Sequence, residues 1–429
     1  MSRYLIYGLG KRWNLCKYLF PDECIAGYTD KAKLGEVMED GRQVVDFSEA
    51  YRKIQFDKVL ITSDKYYDEI RSNIKKEAPE IETVTISDVF QNLSDFFLKK
   101  QSEQIRTYSL LQQKDNIVHL RDFNKIYVMA PAMAHSGGSE LLHQLVFHLR
   151  KNGIDAEIAY YNNIYKDVYK CIPNEYRGYI DDNATILEKI EDNPTTALII
   201  PETSSDLLKQ FNYSKKYFWW MSVDFFIWTL KLEDFEKVYS EVDCHLYQSE
   251  YARNFLVALG INAKRMKPLS DYIEDSYFES IKVQNDKLNI VTYNPAKGRA
   301  FTEKLIKACP EITFVPIQNM TRNEVRDILR KSKVYIDFGN HPGKDRIPRE
   351  AALSMNCIVT GKRGAAANPV DIPIPERYKI SGENISLNKI RLLLQNIMSN
   401  YDKYVKDFEI YRNIIKREES VFQNEILDL

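Results

Sequence analysis

At 429 residues, with 44% hydrophobic and 28% charged side chains, the chain is globular and too long for one ordinary core, so two or three domains are expected. Lysine plus arginine (60) almost equals aspartate plus glutamate (61), which argues against nucleic acid as the main partner, since phosphate backbones select a basic excess. The cysteines, Cys16, Cys24, Cys171, Cys244, Cys309 and Cys357, form no CxxC pair and no zinc spacing; they read as free thiols in a reducing cytosol. The start, MSRYLIYGLG, enters a strand with no signal-peptide pattern. No uninterrupted apolar run reaches the ~18 residues that span a bilayer, which leaves peripheral attachment open.

Nearly every expected strand is followed by a helical pattern, which implies parallel sheets and an α/β class. The first block, 1–100, reads as a small Rossmann-like unit with strands at Tyr4–Tyr7, Cys24–Tyr28, Lys58–Thr62 and Thr83–Ile86. Gly8-Leu9-Gly10 with Asp30 at the next strand end is similar to a dinucleotide fingerprint. Trp13, however, stands where the third glycine should permit close helix–strand packing. A polar stretch, 101–122, reads as a helical linker.

The second block, 123–270, opens with strand Ile126–Ala130 and the loop PAMAHSGGSE. Gly137 and Gly138 let backbone N–H groups approach a ligand at a helix N-terminus, and Glu140 complements the helix dipole or contacts a substrate. His135 is a candidate polar contact or proton shuttle. After strand Ala197–Ile200, Glu202 is a candidate substrate contact. In the run Tyr217 to Trp228, Phe218 and Trp219 read as core, while Phe225, Phe226 and Trp228 suit either burial or an exposed patch.

The third block, 271–429, carries the most informative segment, VYIDFGNHPGKDRIPREAA from Val334 to Ala352. An apolar strand runs into a loop shaped by Gly339, Pro342, Gly343 and Pro348 and loaded with Lys344, Asp345, Arg346, Arg349 and Glu350. Such a loop at a strand's carboxyl end and a helix start suits an anionic ligand. Three cations there could hold a nucleotide diphosphate, each charge-assisted bond contributing ~1.5–3 kcal/mol. The competing reading is a solvated loop with i,i+4 ion pairs. Asn294-Pro295-Ala296-Lys297-Gly298-Arg299, after strand Leu288–Tyr293, places a Lys beside a Gly as a second jaw. A capping box at Thr321 and Glu324 starts another helix.

GGSE at the head of one Rossmann half, with NPAKG and HPGKDRIPREAA in the other, resembles the GT-B glycosyltransferases. More narrowly, it resembles their retaining, glycogen-synthase-like family and its bacterial capsule and O-antigen members. The resemblance covers 123–429. It implies two Rossmann-like domains facing a cleft, preceded by the additional Rossmann-like domain at 1–100. It further implies a metal-independent transfer, with no cofactor, from a nucleotide-diphosphate-sugar donor held by 271–429. The acceptor, a glycan or lipid-linked glycan, would be held by 123–270. Lys297 and Arg349 or Arg346 match positions near the donor diphosphate, and Glu350 matches the second glutamate of a Glu-x7-Glu motif. Pro342 replaces the first, and His341 or Asp345 is expected to substitute.

Read together, these features predict catalytic roles for Lys297, Arg349, Glu350 and His135. Substrate contacts are expected from Gly137, Gly138, Glu140, Glu202, Asn294, Gly298, His341, Gly343, Lys344, Asp345 and Arg346. Localisation is expected to be cytoplasmic, peripheral to the inner face of the cell membrane. Two other classes compete: a nicotinamide-dependent oxidoreductase or epimerase run by the first block, and an inactive scaffold in a polysaccharide assembly complex.

Overall fold

The computed structural model describes the chain apart from residues 1, 11–12, 15–16, 18–19, 21, 64–65, 87, 90–118, 163–166, 182, 224–240, 260, 275–286 and 381–385. Among the described residues there are three sheets, and every strand pairing within them is parallel. Most of the expected linker at 101–122 lies outside the described residues, as do Phe225, Phe226 and Trp228.

The N-terminal sheet contains β1 (Tyr4–Tyr7), β2 (Ile25–Thr29), β3 (Lys58–Ile61) and β4 (Glu82–Thr85) in the order β2-β1-β3-β4. Helices α1 (Phe47–Lys53) and α2 (Tyr67–Glu77) accompany it. Trp13 is buried against Phe20 and Tyr28, with ring centroids 5.5 and 5.9 Å away, and is a core residue. Asp30 accepts the Leu9 N–H at 2.6 Å, so the acid of the fingerprint is engaged by its own glycine loop. Neither feature favours a dinucleotide.

The middle sheet contains β5 (Lys125–Pro131), β6 (Ala156–Tyr161), β7 (Ala184–Ile186), β8 (Thr196–Pro201), β9 (Lys215–Trp220), β10 (Cys244–Tyr247) and β11 (Met266–Pro268). Its order is β11-β10-β9-β8-β5-β6-β7. Val128 of β5 pairs with Ile158 on one side and Ile199 on the other, which is why these central strands read as continuous apolar runs. Helix α3 (Gly137–Lys151) covers the sheet with Leu141, Leu142, Leu145, Val146 and Leu149, all buried. Its start is fixed by Ser136, whose Oγ accepts the Ser139 N–H at 3.1 Å. Helix α4 (Glu250–Ala258) follows β10. Phe218, Trp219 and Trp220 are core; the indole N–H of Trp219 donates to the Leu269 carbonyl at 2.9 Å.

The C-terminal sheet contains β12 (Leu288–Tyr293), β13 (Thr313–Pro316), β14 (Ser332–Asp337), β15 (Cys357–Gly361) and β16 (Lys379–Ile380), in the order β13-β12-β14-β15-β16. Helices α5 (Arg299–Ala308), α6 (Arg322–Lys331), α7 (Arg346–Leu353), α8 (Leu387–Ser399), α9 (Glu409–Ile415) and α10 (Glu418–Asp428) complete the chain. The last helix does not stay with this domain. Phe422, Ile426 and Leu429 join the apolar cluster of the middle domain, and Glu425 accepts the Ser270 N–H at 2.7 Å. Block 271–429 is therefore not one closed unit.

In the middle and C-terminal sheets the first strand, β5 or β12, lies between strands reached in opposite directions. Ligands of open α/β sheets sit outside the carboxyl ends of strands at such switch points. The two domains bring these ends together. The Val223 N–H donates to the Pro342 carbonyl at 3.0 Å, and Asp371 caps α4 by accepting the Glu250 and Tyr251 N–H groups at 2.7 and 2.8 Å. Among the described residues, no helix is long and apolar enough to cross a membrane, and Cys24, Cys171, Cys244, Cys309 and Cys357 are buried.

Candidate functional site

A cleft of about 990 Å³ opens between the middle and C-terminal domains. The middle domain lines it with the loops after β5, β8, β9 and β10, and the C-terminal domain with the loops after β12, β13 and β14. The starts of α3, α6 and α7 all border it, so three positive helix ends face one volume.

Of the expected residues, Gly137, Gly138, Glu140, His135, Glu202, Asn294, Lys297, Gly343, Lys344, Asp345, Arg346 and Glu350 border the cleft. Asn294 shapes its loop by accepting the Ala296 N–H at 3.0 Å. Gly298 does not border the cleft; it is the N-cap of α5, with φ +59°, and a Cβ there would stand 2.5 Å from the Phe338 carbonyl carbon. Its part is to let the Lys297 loop lie flat on the β14 loop, not to touch a substrate. A Cβ on Gly343 would stand 2.0 Å from the Met221 carbonyl oxygen, so only glycine permits this contact between domains.

The cations divide into two groups. Arg346 donates from Nη1 to Glu140 at 2.7 Å and from Nε to Glu350 at 3.4 Å. Arg322 reaches the same Glu140 with both terminal nitrogens, at 2.8 and 3.2 Å. Glu140, at the head of α3, thus clamps two guanidiniums of the opposite domain. Its carboxylate is 1% exposed and lies behind them, whereas Arg322 is 54% exposed and faces the cleft. Burial raises the pKa of Glu140, opposed by Arg346 and Arg322. The Tyr179 hydroxyl donates to Glu274 at 2.5 Å and lies 3.3 Å from Glu140, extending the cluster. Lys297 stands 2.5 Å from Asp345. An ammonium has three donors, so Asp345 fixes its position without using all of them.

Arg349 belongs to the other group and departs from expectation. It is fully buried and does not border the cleft. Its guanidinium donates to Asp271 at 2.5 Å, to Glu418 at 2.8 Å and to the carbonyls of Lys344 and Asp345 at 2.8 and 3.2 Å. Burial works against its charge, but Asp271 and Glu418 more than compensate and raise its pKa. Lys344 joins the same knot, 2.7 Å from Glu418 and 3.8 Å from Asp271. Arg349 ties the β14 loop to α10; it is not poised for a diphosphate.

His341 also departs from expectation. It is buried, does not border the cleft, and lies 2.9 Å from Asp345 and 3.5 Å from Asp337. It therefore cannot hold a sugar in place of the missing glutamate. Burial pushes its pKa down, but the two aspartates outweigh this and lift it to about 9. Burial likewise opposes ionisation of Asp345, yet Lys297 and His341 hold its carboxyl well below the usual carboxylate range. The series Asp337, His341, Asp345, Lys297 alternates in sign and sets where the Lys297 ammonium stands. Because the folded pKa of His341 exceeds its ordinary 6.5, this contribution is complete below pH 6.5 and is lost as pH rises through about 9. Denaturation across that window should show a loss on the order of 3 kcal/mol. His341→Asn should flatten the slope; an unchanged slope in that variant contradicts the assignment.

On the middle-domain side, Glu202 is buried and accepts the Met221 and Ser222 N–H groups at 3.2 and 2.9 Å. Burial lifts its pKa to about 8, with those N–H groups opposing. His135 sits at the exposed rim and pairs with Glu175. Arg322, Glu274 and Tyr179 were not anticipated. Arg322 follows the carboxyl end of β13, the placement that marked the neighbouring loops, so the same rule would have found it.

No protein-family model and no curated protein matches the sequence. Solved structures do resemble it. TarM of S. aureus aligns over 72% of this chain and 98% of its own, at 10% identity and a TM-score of 0.52. The N-terminal domain of Candida albicans trehalose-6-phosphate phosphatase aligns over 73% and 97%, at 11% identity and a TM-score of 0.50. HepE of Anabaena, solved with UDP and glucose, aligns over 71% and 98%, at 10% identity and a TM-score of 0.48. The first two carry the conclusion on architecture: this chain has the GT-B fold, two Rossmann-like domains facing a cleft, and the four-stranded parallel sheet at its N-terminus precedes them.

Proposed function

We propose that the chain is a glycosyltransferase that moves a sugar from a nucleotide-diphosphate sugar to an acceptor hydroxyl. The observation that carries this reading is the convergence of strand-end loops from two Rossmann-like sheets on one cleft, with Lys297, Arg322 and Arg346 placed at its border near helix starts. The donor lies against the C-terminal domain. The acceptor enters beside Gly137, Gly138, His135 and Glu202. The acceptor oxygen bonds to the anomeric carbon as the bond from that carbon to the diphosphate oxygen breaks, and the acceptor proton passes to the departing diphosphate. Lys297, Arg322 and Arg346 stabilise the charge that develops there, a role for donors held in place beforehand. Glu350, 3.4 Å from Arg346, accepts from donor hydroxyls.

A retaining course, a metal-independent step and a role in bacterial surface polysaccharide assembly on a membrane-linked acceptor belong to the same proposal. The HPGKDRIPREA segment supports them. Incubation with UDP-, GDP-, dTDP- and ADP-sugars tests it. Release of one nucleoside diphosphate is expected, and EDTA should leave its rate unchanged. A rate abolished by EDTA and restored by a divalent ion would remove the metal-independent step; no release from any donor would remove the whole reading.

A further inference from the structure

The proposed reaction gives the N-terminal domain no task, yet this domain packs against the C-terminal domain, with Lys304 of α5 3.4 Å from Glu82 and two further contacts that lead toward the donor site. The first is between α2 and α5. Arg299 Nη2 lies 2.6 Å from Asp68 Oδ1, and Nη1 donates to Asp68 Oδ2 at 3.1 Å. Arg299 Nε donates to Glu303 at 2.9 Å, and Glu303 also pairs with Arg71 of α2. The Tyr67 ring lies 5.6 Å from the Arg299 guanidinium. At the second point, Arg363 donates to the Asp88 carbonyl at 3.2 Å, while its own carbonyl accepts the His341 N–H at 3.4 Å.

Both contacts lead to the same place. Arg299 follows Lys297 by two residues, and Gly298 between them packs so closely on the Phe338–Gly339 backbone that a Cβ there would stand 2.6 Å from the Gly339 nitrogen. Movement of the first turn of α5 is therefore movement of Lys297. Arg363 backs His341, which sets Asp345, which sets the Lys297 ammonium from the other side.

We propose that the N-terminal domain is a brace for the donor site, with Arg299 as a positioning residue that holds the Lys297 loop in register. Displacing the domain, by mutation or by a partner bound to it, then weakens diphosphate binding without touching the reacting atoms. Exposed ion pairs add little to stability, so the effect belongs to position, where small displacements of a binding group are felt strongly. The ligand arm of the test rests on the glycosyl-transfer reading; the brace itself does not.

The test is hydrogen exchange on full-length Asp68→Ala, without ligand, paired with titration by UDP, GDP, dTDP and ADP. Amides of 294–302 should exchange about 5- to 10-fold faster than in wild type. Affinity for whichever diphosphate binds should fall by a similar factor, with Asp68→Glu restoring both. With a turnover assay in hand, kcat/KM for donor should fall by a similar factor or more, since Lys297 serves both donor binding and the developing charge, and Asp68→Glu should restore it. Unchanged exchange at 294–302, or faster exchange confined to the N-terminal domain, overturns the brace. Faster exchange in a protein that binds no diphosphate supports the brace and removes the glycosyl-transfer reading instead.

Discussion

Arg349→Ala is expected to destabilise the protein by about 3–5 kcal/mol, the usual cost of leaving buried charges without their partner. Arg349 has no exposed surface and joins two carboxylates, Asp271 and Glu418, to two carbonyls of its own loop. Its removal strands both carboxylates in a low-dielectric interior, with Lys344 as the one remaining cation among the described residues within 4 Å of Glu418. Arg349→Lys should recover part of the loss, because an ammonium cannot reproduce the paired geometry. Chemical denaturation reads this directly. A variant with the wild-type midpoint and no activity would return Arg349 to the chemistry.

Lys297→Ala and Arg346→Ala should behave differently. Each should leave a folded protein and weaken binding of the nucleoside diphosphate by about 10- to 100-fold, the range of one charge-assisted hydrogen bond. Arg346 carries a second consequence. It is one of two guanidiniums that Glu140 draws across the cleft, so its loss also loosens the closed arrangement of the domains. Calorimetric titration of both variants separates these roles: Lys297→Ala should lose affinity alone, whereas Arg346→Ala should also change the heat capacity of binding as the cleft opens and closes. Wild-type affinity in both variants would remove the cations from the donor site.

The contrast between Arg349 and Arg346 shows what a sequence carries and what it withholds. The strands were legible because central parallel strands are buried on both faces and appear as apolar runs, such as IYVMA in β5 and VYID in β14. The strands not anticipated, Ala184–Ile186, Met266–Pro268 and Lys379–Ile380, are short edges with no such run. The site loops were legible because glycines, prolines and charges crowd the carboxyl ends of strands. The partner each charge takes was not. Asp271 and Glu418 lie 78 and 69 residues from Arg349, and neither has a local signal that would assign it. Arg322 went unnoticed because Thr321 and Glu324 on either side of it form a capping box, which explains the helix start without it. The return of α10 to the middle domain also leaves no trace in local pattern, since Phe422, Ile426 and Leu429 suit any apolar surface.

The central claim is that the cleft binds a nucleoside diphosphate through cations of the C-terminal domain. Thermal unfolding of the wild-type protein with UDP, GDP, dTDP, ADP and CMP tests it most directly, since a ligand at ~100 times its dissociation constant adds about 2.7 kcal/mol. The account predicts a shift with one diphosphate, reduced in Arg346→Ala. A shift of equal size in that variant, or none with any nucleotide, would contradict it.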